Sequence, residues 1–307
     1  MRAPVVCALV ISEVIVCGTA FAQTADPTAV LAETRTALGG EARISGVKTI
    51  VATGRTRQIR GDNLVPIEFE IQTELPDKYS RRDEFPAQDA GPATSGFNGD
   101  RLVQIPEPVV PPARPGGPPP PTPEQQQAAA RARLLQAKQD FARLMLGMFA
   151  ASYPSFPLTF TYIGQAEAPQ GKAHVLDAKG AANFAARLFI STDTHLPIMV
   201  TWQQAAPPAR RGGPPPGAAP AGRGAPPGAA GGAAAAGAAA PPPGAPATGP
   251  PAMEHRLYFA DYRDVDGLKL PFRLRHAIGA DTIEETTFDR FRINARTDPK
   301  RFDVSGQ

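Results

Sequence analysis

The sequence predicts an α+β fold in which a curved antiparallel half-barrel sheet of about ten strands carries helices on its concave face. Short segments that alternate between apolar and polar residues predict the strands, and these segments occur in two runs. One long helical segment separates the two runs, and a shorter helix precedes them. Each strand has one apolar face, so the sheet needs a cover, and the helices are the elements that can provide it.

The first 22 residues have the pattern of a secretory signal peptide. Arg2 supplies a positive charge, an apolar core follows over residues 5–16, and Ala-Phe-Ala at 20–22 forms a small-x-small cleavage site. We therefore expect an exported protein of the periplasm or cell envelope, whose mature chain begins at Gln23. An uncleaved anchor helix and lipidation at Cys17 are the alternative interpretations.

Composition argues against several classes of function. Both cysteines, Cys7 and Cys17, lie in the predicted signal peptide, so the mature chain must be stabilised by its core and not by disulfides. The net charge is +3, and no block of lysine or arginine indicates nucleic acid as a partner. The histidines lack metal-ligand spacing, and no catalytic motif occurs. We predict no metal, no cofactor and no enzymatic activity.

Residues 23–304 are predicted to form a single domain that two tracts of unusual composition interrupt. The first tract, residues 106–121, is rich in proline and should be an extended loop. The second, residues 205–252, contains little besides alanine, proline and glycine and cannot bury enough apolar surface to become ordered. We interpret it as a disordered insert at the tip of a hairpin, where extra loop length costs little entropy.

The first run begins with a helix and continues with alternating strands. Asp26 is predicted to be the N-cap of this helix and Pro27 its first residue, and Gly39 should end it. The residues that face inward are Val30, Leu31, Thr34 and Leu38. Among the strands, residues 64–75 alternate most clearly, and their apolar face consists of Ile67, Phe69 and Ile71.

The long helix has an apolar second half. Thr122, Pro123 and Gln125 form a capping box that begins the helix, which we expect to run to about Ser152. Its second half carries apolar residues on more than one side, with one face formed by Leu134, Phe141, Leu144, Met145 and Met148. Two interpretations remain open. The helix is either an ordinary core helix or a lid over a partly filled cavity, and flexible methionines suit the lid.

Two hairpins of similar pattern organise the second run. Each consists of a strand, a polar turn that contains aspartate, a Leu-Pro step and a second strand, over residues 188–202 and 258–276. Asp266 and Gly267 suit a short hairpin turn, because glycine tolerates positive φ. The strand after this turn has a basic face and an apolar face, and the apolar face includes Leu270, Phe272 and Leu274.

The order of these elements resembles the LolA/LolB-like periplasmic lipoprotein carriers, and more closely the exported proteins of the outer-membrane lipoprotein-sorting type. The resemblance spans nearly the whole mature chain except the two tracts. It implies a half-open sheet whose hydrophobic cavity, covered by helices, holds acyl chains. The matching motifs are Leu38-Gly39-Gly40-Glu41-Ala42 with Val47-Lys48-Thr49-Ile50, Leu75-Pro76-Asp77-Lys78, Phe97-Asn98-Gly99, Leu188-Phe189-Ile190 through Leu196-Pro197, Tyr258-Phe259-Ala260-Asp261-Tyr262 through Leu270-Pro271, and Phe288 to Val304.

Two functions of different classes follow as hypotheses. The first is a carrier or chaperone that binds lipid or the acyl chains of lipoproteins in a hydrophobic cavity. The second is a non-enzymatic envelope interaction module that reaches an envelope protein partner through its proline-rich tracts. The candidates for the wall of the cavity are Ile67, Phe69, Ile71, Leu134, Phe141, Leu144, Met145, Met148, Leu270, Phe272 and Leu274.

Overall fold

A computed structural model of the chain describes residues 26–61, 63–86, 91–108, 119–168, 171–205 and 252–303. The predicted signal peptide lies outside the described residues. So do positions 109–118 of the proline-rich loop and 206–251 of the alanine-rich insert. Within the described ranges, no helix is both long enough and apolar enough to span a membrane.

Twelve antiparallel strands form one unclosed, curved sheet. The first five strands make one meander and the last seven make another, and the two meanders join where the first strand pairs with the last. The strands are β1 Thr49–Arg60, β2 Asn63–Glu74, β3 Lys78–Glu84, β4 Ala93–Asn98, β5 Arg101–Ile105, β6 Leu158–Ala168, β7 Gly171–Gly180, β8 Ala185–Ser191, β9 Pro197–Ala205, β10 Ala252–Val265, β11 Leu268–Ile278 and β12 Asp281–Ile293. Across the sheet they are ordered β5-β4-β3-β2-β1-β12-β11-β10-β9-β8-β7-β6.

The prediction of about ten strands is corrected to twelve. Among the short strands near one edge of the sheet, β4 has the weakest signal in the sequence. Its sequence, Ala-Thr-Ser-Gly-Phe-Asn, contains no apolar alternation that would mark a strand. Gly96 is required there for another reason, because a Cβ on it would lie 2.0 Å from the Tyr79 carbonyl oxygen of β3. Close approach of two backbones, and not alternation, therefore defines this strand.

The helices begin as their capping residues predict. In α1, Pro27–Ala37, the Asp26 side chain accepts a hydrogen bond from the backbone N–H of Thr28. A one-turn helix, α2, follows over Glu41–Ser45. In α3, Pro123–Phe149, the predicted capping box is present in full. The helix ends before Ser152 because Ala150 adopts the left-handed conformation, with φ of 48°.

The helix α3 packs on one face of the sheet, which we call the concave face. Its main contacts are with β4 and β5 near one edge of the sheet and with β8 and β9 nearer the other. Near its C-terminal end, the Tyr262 hydroxyl of β10 lies 3.2 Å from the carbonyl oxygen of Gly147. The sheet therefore curves around the helix. In contrast to α3, α1 contacts the edge strand β6.

Phe141 anchors α3 to the first meander. Its ring lies 5.6 Å from that of Tyr79 in β3, 5.4 Å from Phe97 in β4 and 5.8 Å from Tyr153. The side chain is fully buried, so this aromatic cluster is solid core.

The turn between β10 and β11 is the hairpin that the sequence indicates. Asp266 and Gly267 both have positive φ, 55° and 79°, as a type I′ turn requires. The side chain of Asp264 accepts a hydrogen bond from the Gly267 N–H. The loop after α1 packs on this turn, because Lys269 donates its backbone N–H to the Leu38 carbonyl at 2.8 Å. The hairpin thus ties the N-terminal helices to the sheet.

Gly147 allows α3 to approach β10 closely. A methyl group added at this position should therefore lower the stability of the protein. A Cβ at Gly147 would lie 1.9 Å from the ring of the buried Phe259. The higher helix propensity of alanine should stabilise the Gly147→Ala variant by about 1 kcal/mol. Overpacking against Phe259 should destabilise it by more, within a range of about 1–3 kcal/mol. We expect a net loss of stability in urea-induced unfolding. Adding Phe259→Leu to Gly147→Ala should recover part of the loss, and a more stable single variant would contradict this packing.

Candidate ligand-binding cavity

A cavity of about 280 Å³ lies between α3 and the concave face of the sheet. The helix rests mainly on strands near the two edges of the sheet, so the central strands stand away from its middle and leave this space. The helical wall consists of Ala137, Asp140 and Leu144, which are spaced i, i+3 and i+7 along one stripe, together with Arg143. Strands β2, β3, β4 and β9 to β12 form the remaining walls.

The walls of the cavity are amphipathic. The apolar part comes from Ile71, Tyr79, Ala137, Leu144, Trp202, Leu257, Leu274 and Phe288. The polar part comes from Arg81, Ser95, Asp140, Arg143, His276, Glu284 and Thr286. A mixed wall of this kind suits a ligand that has an apolar body and a polar end.

Three of the cavity candidates from the sequence, Ile71, Leu144 and Leu274, line this cavity. The others do not line it, and most of them are buried: Ile67, Phe69, Phe141, Met145, Met148, Leu270 and Phe272. Leu134 is partly buried against the core. The candidates on α3 differ because they lie on different sides of the helix. Phe141, Met145 and Met148 form the stripe that contacts the sheet. Leu144 lies on the neighbouring stripe, which faces the space.

The polar wall was not predicted from the sequence, although strand register contains a signal for part of it. Strands β9 and β10 pair antiparallel on either side of residues 206–251, with Ala205 opposite Ala252. Counting three residues inward from that pair places Trp202 opposite His255. The register of β10 with β11 then places His276 diagonally next to His255. These three side chains become neighbours only through tertiary pairing.

Trp202 and the two histidines form a stack beside the cavity. The ring of Trp202 lies 5.1 Å from that of His255 and 5.3 Å from that of His276. The histidines contact each other, with Nδ1 of His255 at 3.0 Å from Nε2 of His276. Burial is the main cause that lowers the pKa of both histidines, and the charge of Arg143 lowers both further. Both imidazoles are therefore neutral near pH 7.

Arg143 is a buried cation at the edge of the cavity. Its side chain is only 8% exposed, and its guanidinium carbon lies 4.5 Å from the ring centre of Trp202 and 5.3 Å from that of Phe184. Nη1 donates to Asp140 at 2.7 Å and Nη2 to Gln139 at 3.4 Å. The buried Nε has no hydrogen-bond partner among the described residues. Burial lowers the pKa of Arg143, although the guanidinium remains charged.

A groove of about 570 Å³ lies on the other side of Arg143. Arg143 and Trp202 line both the groove and the cavity, so the two spaces meet at these side chains. The remaining wall of the groove is largely polar and includes Gln136, Gln139 and Gln204. We call this space the side groove.

The opposite, convex face of the sheet carries a different kind of surface. A groove of about 640 Å³ there is lined by the exposed arginines Arg55, Arg57, Arg273 and Arg275. One of them, Arg275, lies 4.4 Å from the ring centre of Tyr258. The wall also includes Ile198 and Phe259, but four charged guanidinium groups make this groove a less favourable site for a lipid tail than the cavity beneath α3. Elsewhere among the described residues, no group of three or more His, Cys, Asp and Glu side chains is arranged to hold a metal.

Three solved structures illustrate the proteins to which the fold of this chain is similar. A LolA superfamily protein from Nitrosomonas europaea is 9% identical, with a TM-score of 0.48 over 91% of this chain and 98% of that one. A proposed outer membrane lipoprotein-sorting protein domain from Vibrio parahaemolyticus is 10% identical, with a TM-score of 0.43 over 89% and 94%. A DUF1329 family protein from Desulfovibrio piger is 7% identical, with a TM-score of 0.43 over 91% and 98%.

The first two of these chains carry the names of the carrier class that the sequence motifs resemble. No protein-family model matches the sequence, and no curated protein matches it.

The lowered pKa values of the stacked histidines predict how stability depends on pH. The unfolded chain takes up protons at an ordinary histidine pKa of about 6.5, whereas the folded chain resists them. The unfolded state therefore binds more protons, and the free energy of unfolding should fall as the pH is lowered from about 7.5 to about 5.5. The slope cannot exceed about 1.4 kcal/mol per pH unit for each proton excluded.

Urea unfolding of a variant with both His255→Gln and His276→Gln tests this dependence, and its slope should be clearly flatter. Part of the slope should remain, because burial also lowers the pKa of His174. The wild type, measured in parallel, gives the full slope for comparison. An unchanged slope in the double variant would contradict the assignment.

Proposed function

We propose that this protein is an exported carrier that binds an acyl chain of a lipid or acylated lipoprotein in the cavity beneath α3. The observation that supports the proposal is the amphipathic cavity itself, which one helix covers and which a helical stripe through Leu144 lines. Each buried methylene group contributes about 0.8 kcal/mol, so part of a long chain is enough for useful affinity. Such binding needs no catalytic group.

The size of the cavity indicates that α3 moves when a full chain binds. A volume of about 280 Å³ lies just below the usual range for ligand sites, roughly 300–1,000 Å³. It holds part of an acyl chain in the present arrangement. A longer chain requires the helix to lift from the sheet.

The contacts of α3 favour lifting at its N-terminal part. Residues 123–133 are largely exposed, whereas the helix from Phe141 onward is mostly buried. The segment before Phe141 is held by the 2.6 Å ion pair between Lys138 and the exposed Asp100 and by Leu134, Leu135 and Ala137, which are only partly buried against the core. Exposed ion pairs contribute little, about 0–1 kcal/mol. Movement about the buried C-terminal half therefore costs less than release of the whole helix.

Filling the cavity tests the proposal without creating a void. Leu144→Trp places a large side chain in the space, so binding of a fluorescent fatty acid should weaken by at least tenfold, about 1.4 kcal/mol. Ala132→Trp adds the same side chain to an exposed position of α3 and should bind the probe like the wild type. Thermal unfolding of both variants establishes that they fold. The carrier proposal fails if the wild type does not bind the probe, or if folded Leu144→Trp binds it equally well.

A further inference from the structure

We propose that Arg143 binds the anionic head group, a carboxylate or a phosphate, of the amphiphile whose tail occupies the cavity beneath α3. This inference rests on the proposed carrier function and adds the chemical class of the ligand. The tail would lie against Leu144 and Leu274, and the head group would lie in the side groove.

The position of Arg143 between a more apolar space and a more polar one supports this assignment. The cavity has a substantial apolar wall, and the side groove is lined mainly by polar side chains. Arg143 and Trp202 belong to both walls, so they mark the neck through which a bound molecule would pass. An amphiphile that spans this neck places its polar end beside the guanidinium.

The hydrogen bonds of Arg143 leave part of its capacity unused. A guanidinium carries five N–H donors, and burying it without partners is costly. The protein supplies Asp140 and Gln139, while Nε has no partner. Asp140 is itself 52% exposed, which makes it a weak counter-ion. An anionic ligand would supply the missing acceptor and charge.

The two aromatic rings give Arg143 the rigidity that recognition of an anion requires. The guanidinium lies close to both Trp202 and Phe184, at ring distances of 4.5 Å and 5.3 Å. Cation–π contacts of this kind orient the planar group and reduce the entropy lost when it binds. Its free edge can then pair with two oxygen atoms of a carboxylate or phosphate.

The other charges of the side groove favour an anion over a cation. Asp177 is already ion-paired with Arg187, and Glu254 with Arg256. Lys179 also lines the groove and adds a further positive charge. The groups left to meet a ligand are therefore Lys179 and Arg143, whose counter-ion Asp140 is half exposed.

Binding of three amphiphiles with the same tail tests the inference. The probes are hexadecanoate, hexadecyl phosphate and the neutral hexadecanol, and the readout is the fluorescence of Trp202, the single tryptophan of the chain. We expect the wild type to bind at least one anion about tenfold or more tightly than the alcohol, as charge-assisted hydrogen bonds imply. Whichever anion binds more tightly identifies the head group as carboxylate or phosphate.

Two substitutions that each remove one positive charge distinguish a specific contact with Arg143 from a general effect of net charge on anion binding. Arg143→Gln should lower the affinity for the preferred anion about tenfold or more, which removes most of its preference over hexadecanol. Arg133→Gln, on the exposed part of the same helix, should bind all three probes like the wild type. If Arg143→Gln does not fold, Arg143→Lys keeps the charge without the planar fork and should bind the anion with reduced affinity.

The outcomes distinguish the two proposals. Equal wild-type affinity for the alcohol and both anions overturns the role of Arg143 but leaves the carrier function standing. If substitution of Arg143 leaves anion binding unchanged, the role of Arg143 is likewise overturned and the carrier function still stands. If none of the three probes binds the wild type, both proposals fail.

Discussion

One helix covers the apolar face of a broad, curved sheet, and the rest of the structure depends on how that contact is made. With 27 residues, α3 is about 40 Å long, yet a helix is only about 10–12 Å wide. It packs closely where Phe141 meets β4 and where Gly147 meets β10. A straight helix cannot follow the curvature between these points. The cavity is therefore a consequence of covering a curved face with a single rod.

The same geometry explains why ionisable groups lie so close to the core. Residues on the stripe of α3 that faces the space escape full burial, so Asp140 is tolerated beside Leu144. Arg143 lies at the margin of this stripe, where two aromatic rings replace part of the lost hydration. A buried cation with an unused donor conflicts with the general rules of core packing, and such conflicts are expected at functional sites. The neck at Arg143 therefore has a simple interpretation as part of a binding site.

The sequence predicts features that local physical chemistry determines and misses those set by tertiary packing. The caps at Asp26 and Thr122 and the turn at Asp266 were predicted correctly, because each depends on neighbouring residues. The strand β4 has little apolar alternation, and its position depends instead on the close approach of its backbone to β3 at Gly96. Apolar alternation also cannot tell a residue in the core from one that faces a void, as Phe141 and Leu144 illustrate. The hairpin across residues 206–251 was expected, but the stack of Trp202 on two histidines depends on the register of its strands, which the sequence pattern does not specify.

The central claim is that the space beneath α3 holds the tail of an amphiphile, and native mass spectrometry of protein purified without detergent tests it most directly. The claim predicts a population heavier than the chain by the mass of one acyl-containing molecule, released in organic solvent and identified in the extract. Leu144→Trp, purified in parallel, should lack this population because the cavity is filled. Exchange of the wild-type protein into buffer with hexadecanoate should restore one bound molecule per chain. Wild-type protein that stays ligand-free, even after incubation with such amphiphiles, would contradict the claim.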